Sequence, residues 1–105
     1  MNPFELYIAY VAWEAGGKRR PVLIFSNTED GVRAFGITSQ YESKSAAIRA
    51  KYFKINDWQQ AGLDKQSYVD TIRLIKLQQD VVDNATAIGQ LTKADRKLLV
   101  EFLAN

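Results

Sequence analysis

Up to Thr38 the chain carries three runs of branched and aromatic residues, separated only by short glycine-bearing or polar breaks. No other feature constrains the fold as much. Residues 4–13, FELYIAYVAW, contain no breaker, and both alternating sets (Leu6, Ile8, Tyr10 and Tyr7, Ala9, Val11) are mostly apolar. That pattern predicts a strand buried on both faces. Residues 14–20 read as a loop with glycine punctuation. Residues 21–26 form a second strand opened by Pro21, a position where a strand tolerates proline. Residues 27–31 are a polar turn, and 32–38 alternate as a third strand. Together they predict an antiparallel meander.

The rest of the chain is shorter in its signals. Residues 40–48 read as a polar loop, 51–55 (KYFKI) as a short strand, 56–64 (NDWQQAGLD) as one helical turn, and 67–76 as another strand. Residues 92–103 give the clearest helix. Thr92 stands at its N-cap with Asp95 three residues on, the capping-box spacing. Leu91, Leu98, Phe102 and Leu103 recur at helical spacing. The expected fold is mainly β with α, a small, partly open β-barrel with a C-terminal helix, in a single domain over 1–105.

Composition narrows the chemistry. The chain has 105 residues with no cysteine and no histidine, so thiolate chemistry is excluded and the common zinc ligand sets nearly so. No metal and no cofactor is expected. Lys and Arg number 14 against 12 Asp and Glu, a net charge of +2, so any polyanion argument rests on where the cations sit. The N-terminal apolar run has no preceding cation and is interrupted by Glu5, which predicts neither a signal peptide nor a membrane span and leaves the cytoplasm as the expected location.

Three stretches carry candidate chemistry. In GGKRRPVLIF, Lys18, Arg19 and Arg20 precede an apolar strand. Taken alone they fit a solvated hairpin loop first, and an anion site second. Arginine suits the latter because its planar fork holds two phosphate oxygens and keeps its charge. Arg20 precedes Pro21, which biases its backbone towards extended geometry. In GITSQ, Thr38 and Ser39 end the third strand as turn-forming hydroxyls or as neutral donors to a phosphate, with Gln40 beside them. If strands two and three pair, Arg20 and Thr38 share one edge of the sheet. In SKSAAIRAKYFK, Lys44, Arg49, Lys51 and Lys54 occur without an acid among them and with Tyr52 and Phe53 interleaved: a charged strand face, or a basic track for a single strand with a ring for base stacking. Trp13 is a further candidate stacking platform, Glu14 the one carboxylate placed in the first loop, and Trp58 a packing anchor.

With these stretches in hand, the chain resembles the MazF/PemK family of bacterial toxins over nearly its whole length. GGKRRPVLIF is similar to the family's glycine-rich loop, Arg-Pro and apolar strand. GITSQ resembles its third-strand end, NDWQQAGLDKQSYVDTIRLI its later Asp-Trp, Ala-Gly-Leu and Ile-Arg segment, and IGQLTKADRKLLVEFL its closing helix. The resemblance implies an SH3-like barrel, a homodimer, a cognate antitoxin whose tail covers the groove, and endoribonuclease activity on single-stranded RNA that leaves cyclic-phosphate and 5′-hydroxyl ends. By motif position Arg20 and Thr38 match the catalytic pair, and Ser67 a structural serine. Trp13, Glu14, Lys18, Arg19, Ser39, Gln40, Lys44, Arg49 and Lys51 are the expected RNA contacts. The first strand departs from the family's Gly-Asp start, and the loop after Trp13 is short. A non-catalytic barrel that binds a protein or nucleic acid is the competing expectation.

Overall fold

Branched and aromatic residues suit a pleated, half-buried surface, and the chain folds its three opening runs as adjacent strands. The computed structural model describes residues 1–105, the side chain of Trp13 excepted. In chain order the elements are β1 (Glu5–Trp13), β2 (Gly16–Thr28), β3 (Gly31–Thr38), α1 (Ala46–Arg49), β4 (Tyr52–Lys54), β5 (Tyr68–Leu77), α2 (Gln79–Asp83), β6 (Thr86–Gln90) and α3 (Lys93–Ala104). All strands pair antiparallel in one sheet of order β4-β5-β3-β2-β1-β6.

The sheet is open, with β4 and β6 as its edges, so the structure is mainly β but barrel-like at most. The chain leaving β4 runs against β6 as a turn segment rather than as a strand, and no ladder closes the two edges. Two glycines set that contact. A Cβ on Gly62 would collide with the Ile88 carbonyl oxygen, and one on Gly89 with the Ala61 carbonyl oxygen. Gly62 also has a φ of 97°, which L side chains rarely adopt.

Residues 16–20 are strand, not loop: Gly16 to Arg20 pair with Trp13 to Ala9, and the β1–β2 turn is confined to Glu14 and Ala15. Gly17 is there for space, because a Cβ would strike the Tyr10 ring. Pro21 accordingly stands inside β2, at the point where the ladder to β3 stops, since that ladder begins at Val22. A residue with no N–H is tolerated where one side of a strand becomes an edge.

The sheet buries both faces. On one, Leu6, Leu23, Phe35, Ile37 and Val69 pack with Leu91 and Leu99 and with residues from the 55–63 segment. On the other, Ala9, Val22, Ile24, Val32, Ala34 and Leu77 pack beneath Val81, Val82 and Ala85. β1 is therefore core on both sides only near its start, since Tyr10 and Ala12 are exposed. The stripe of α3 also differs from expectation. Asp95 and Leu99 are buried and Phe102 half-buried against Phe53, whereas Leu98 and Leu103 face solvent. Residues 46–49, read as loop, form a helical turn capped by Ser45, whose Oγ accepts from the Ile48 N–H at 3.3 Å.

Candidate functional site

Side chains opposite one another in an antiparallel pair share a face. Ala9 pairs with Arg20, Val22 with Gly36, and Gly36 with Asp70. Because residues two apart on a strand also share a face, Arg20, Thr38 and Asp70 project from β2, β3 and β5 on the face of Ala9 and Val22. All three line one cavity of about 500 Å³, with Val11 and Ile75 as apolar wall and Arg73 at the side. Gly36 lies among them with no atom within 4 Å of where its Cβ would stand, so the missing side chain leaves the cavity open there. A second hollow of about 310 Å³ shares Arg20, Pro21, Ile37 and Thr38 with the first and is bordered by Lys18, Ser39, Gln40, Lys65 and Ser67.

The juxtaposition of Arg20 with Thr38 thus holds. Local bonding tunes each group. The Thr38 Oγ1 accepts the Gln40 N–H at 3.0 Å; a hydroxyl has one proton and two lone pairs, so its own proton stays available to a ligand. Among the described residues Arg20 makes no ion pair and no side-chain hydrogen bond, which leaves its fork available. Asp70 accepts the Ile72 N–H through Oδ1 at 2.9 Å. Between Phe35–Leu74 and Gly36–Asp70 the ladder skips, so residues 71–73 form a bulge on β5. This bulge carries Ile72 and Arg73 to the cavity wall, the re-aiming of side chains that bulges produce. The Tyr52 hydroxyl holds its proton above the ordinary tyrosine range, chiefly through burial and also through the negative charge of Asp70, with Arg20 acting in the opposite sense.

The remaining expected contacts divide. Lys18, Ser39 and Gln40 line the second hollow. Arg19 touches that hollow, but its guanidinium donates to Asn84 O at 3.1 Å, Thr86 Oγ1 at 3.1 Å and Ile8 O at 3.3 Å, and so ties the α2–β6 connection to β1. Lys44 and Arg49 lie on the segment 44–49 around α1. Arg49 sits over the Tyr41 ring at 5.7 Å and 4.0 Å from Glu42. Lys51 is placed elsewhere, at the turn before β4, in a groove with Thr71, Phe102 and Leu103. Glu14 is exposed at the β1–β2 turn and lines neither hollow. The Trp13 ring lies outside the described residues. Ser67 is buried at the border of the second hollow and donates to Lys65 O at 2.9 Å, and Trp58 packs half-buried against the core.

Asp70 was not among the sequence candidates. Its only sequence signal was that it is the one carboxylate of its strand, Tyr68–Leu77, where a half-buried charge needs a reason. No family model and no curated protein matches the chain.

Proposed function

We propose that this protein is the toxin of a type II toxin–antitoxin pair of the MazF/PemK kind, an endoribonuclease that cuts single-stranded RNA without a metal. The observation that carries this reading is the cavity in which a guanidinium, a free hydroxyl proton and a carboxylate converge from three neighbouring strands. On this reading the open sheet is a variant of an SH3-like barrel. The protein acts in the cytoplasm as a homodimer, to which the exposed Phe25, Ile72 and Leu74 offer apolar area, and the antitoxin covers the RNA groove.

The residues suit an internal transesterification. Asp70 takes the proton of the ribose 2′-hydroxyl, and the 2′-oxygen attacks the adjacent phosphorus in line. The bond from phosphorus to the 5′-oxygen breaks, and that oxygen takes a proton from water on the Arg20 side, while Asp70 releases its proton to solvent, so the two transfers balance. Arg20 and the Thr38 hydroxyl stabilise the crowded anionic phosphorus, the kind of preorganised donor that acts most strongly on developing charge. The products are a 2′,3′-cyclic phosphate and a 5′-hydroxyl. Asp70 is the base here, and not Glu14, the one carboxylate of the first loop, because a base must reach the proton it removes, and Glu14 stands at the turn, lining neither hollow.

The test is incubation of the purified chain with single-stranded RNA in chelator, followed by analysis of fragment ends. Cyclic-phosphate ends are expected. Arg20→Ala is expected to slow cleavage by at least about 100-fold, the usual loss for one oxyanion donor, and Asp70→Asn by a similar factor, with both variants folded. A non-catalytic binding module would instead bind RNA or protein and leave RNA intact, and cleavage by Arg20→Ala at the wild-type rate would overturn the assignment.

A further inference from the structure

Three tyrosines from separate parts of the chain meet beside the phosphate-directed groups. Tyr41 and Tyr68 stack with ring centroids 4.3 Å apart and planes 14° from parallel, and the Tyr52 ring lies 6.4 Å from Tyr41. Tyr68 pairs directly with Thr38, and Tyr52 directly with Asp70, so both tyrosines share the face of the cavity groups. Neighbouring strands lie about 4.8 Å apart, so this cluster begins one strand away from Thr38. None of the three rings is buried, although each would be favoured in a core. Arg49 adds a guanidinium over the Tyr41 ring.

We propose that Tyr41, Tyr52 and Tyr68, with Arg49, form a nucleobase-stacking subsite that seats a base next to the phosphate held by Arg20 and Thr38. This rests on the RNA-cleavage reading of that cavity and adds to it where a base is held. A half-exposed aromatic stack flanked by cations is the arrangement that binds single strands, because every base offers a π-face and every link a negative charge. The hydroxyls of Tyr52 and Tyr68 add hydrogen-bonding capacity at the base edge, which a purely apolar platform lacks.

The experiment measures binding of the full chain to two short 2′-deoxy oligonucleotides of equal length, one of mixed sequence and one abasic. Both carry the same phosphates, and neither can undergo 2′-hydroxyl attack. Wild type is expected to bind the base-bearing strand at least about 5-fold more tightly, the lower end for one stacked base. Tyr41→Leu is expected to erase that preference while binding the abasic strand as wild type does, and Tyr41→Phe to keep it. Arg20→Ala is expected to weaken both strands alike. Equal affinity of wild type for the two strands overturns the subsite, and this comparison needs no variant to fold. A preference that survives in Tyr41→Leu overturns it as well. If both strands still depend on Arg20 in either case, the cleavage reading stands while the subsite falls; if wild type binds neither strand, both fall.

Discussion

Gly36 does its work by lacking a side chain. It sits in the ladder between Val22 and Asp70, and a Cβ there would meet nothing within 4 Å. The backbone therefore imposes no requirement for glycine, and the cavity does. Gly36→Val is expected to melt no lower than wild type, since a branched residue suits a strand. It is also expected to cut RNA about 100-fold more slowly, because a displacement of the order of 1 Å at a reacting group has that effect. Thermal melting and single-turnover cleavage on the same preparation check both halves; a variant with unimpaired cleavage would remove the cavity from the mechanism. At the same scale, Arg19 and Arg20 show how adjacent, chemically identical residues part company. One ends on three acceptors from β1, β6 and the connection between α2 and β6, and the other faces an open cavity. Alternation along a strand separates them, and the sequence alone treated both as loop.

The helix α3 is attached to the turn segment after β4 by a carboxylate. Thr92 caps it as its spacing predicts, with Oγ1 accepting the Asp95 N–H at 3.3 Å. The Asp95 side chain does not return to the cap. It is fully buried and accepts the Asn56 N–H at 3.2 Å and the Asp57 N–H at 2.8 Å, while the Thr92 hydroxyl donates to Asp57 Oδ2 at 2.9 Å. Removing it would strand two backbone donors, each costing about 1–3 kcal/mol when left unmade. Asp95→Ala is thus expected to destabilise by about 2–6 kcal/mol in urea unfolding, whereas an ordinary capping residue costs about 1 kcal/mol. A loss no larger than the latter would show that the link between α3 and the 56–57 segment contributes little. Of the elements, the meander, β4, β5 and α3 were legible because apolar residues recur there with period two or with helical spacing. β6 was not: its five residues are exposed apart from the half-buried Ile88, and an edge strand with so little to bury leaves no pattern. The helical turns α1 and α2 are too short to show a period.

For the molecule as a whole, net charge matters less than its placement. Lys18 and Lys65 border the hollow next to Arg20, while Lys51 faces the C-terminal end of α3. Lys18→Ala is expected to lower the dependence of log K on log salt for single-stranded RNA by about 0.7 per lost phosphate contact, and Lys51→Ala to leave it unchanged; equal effects would place the RNA path across both faces. Stability has its own pH dependence. Tyr7 and Tyr52 both hold their protons above the ordinary tyrosine value. Burial is the larger cause in each, followed for Tyr7 by its hydrogen bond to Glu5 and for Tyr52 by the charge of Asp70. The folded state therefore binds these protons more tightly than the unfolded state. Their contribution is complete below about pH 10 and is lost as pH rises through the raised folded values. Melting temperature is expected to fall over that interval, and less so in Tyr7→Phe/Tyr52→Phe; an identical fall in the variant would assign it to other groups. By itself the sequence determined that three strands run as a meander, that a capped helix follows Thr92, and that Arg20 and Thr38 come to the same end of neighbouring strands, because these follow from local periodicity and from the pairing of sequential strands. Only the tertiary structure decided that the sheet stays open, that Asp70 joins Arg20 and Thr38, and that three tyrosines gather beside them. Those outcomes depend on register between β5 and β3 and on close backbone contact at Gly62 and Gly89, and neither is encoded in any short window of the chain.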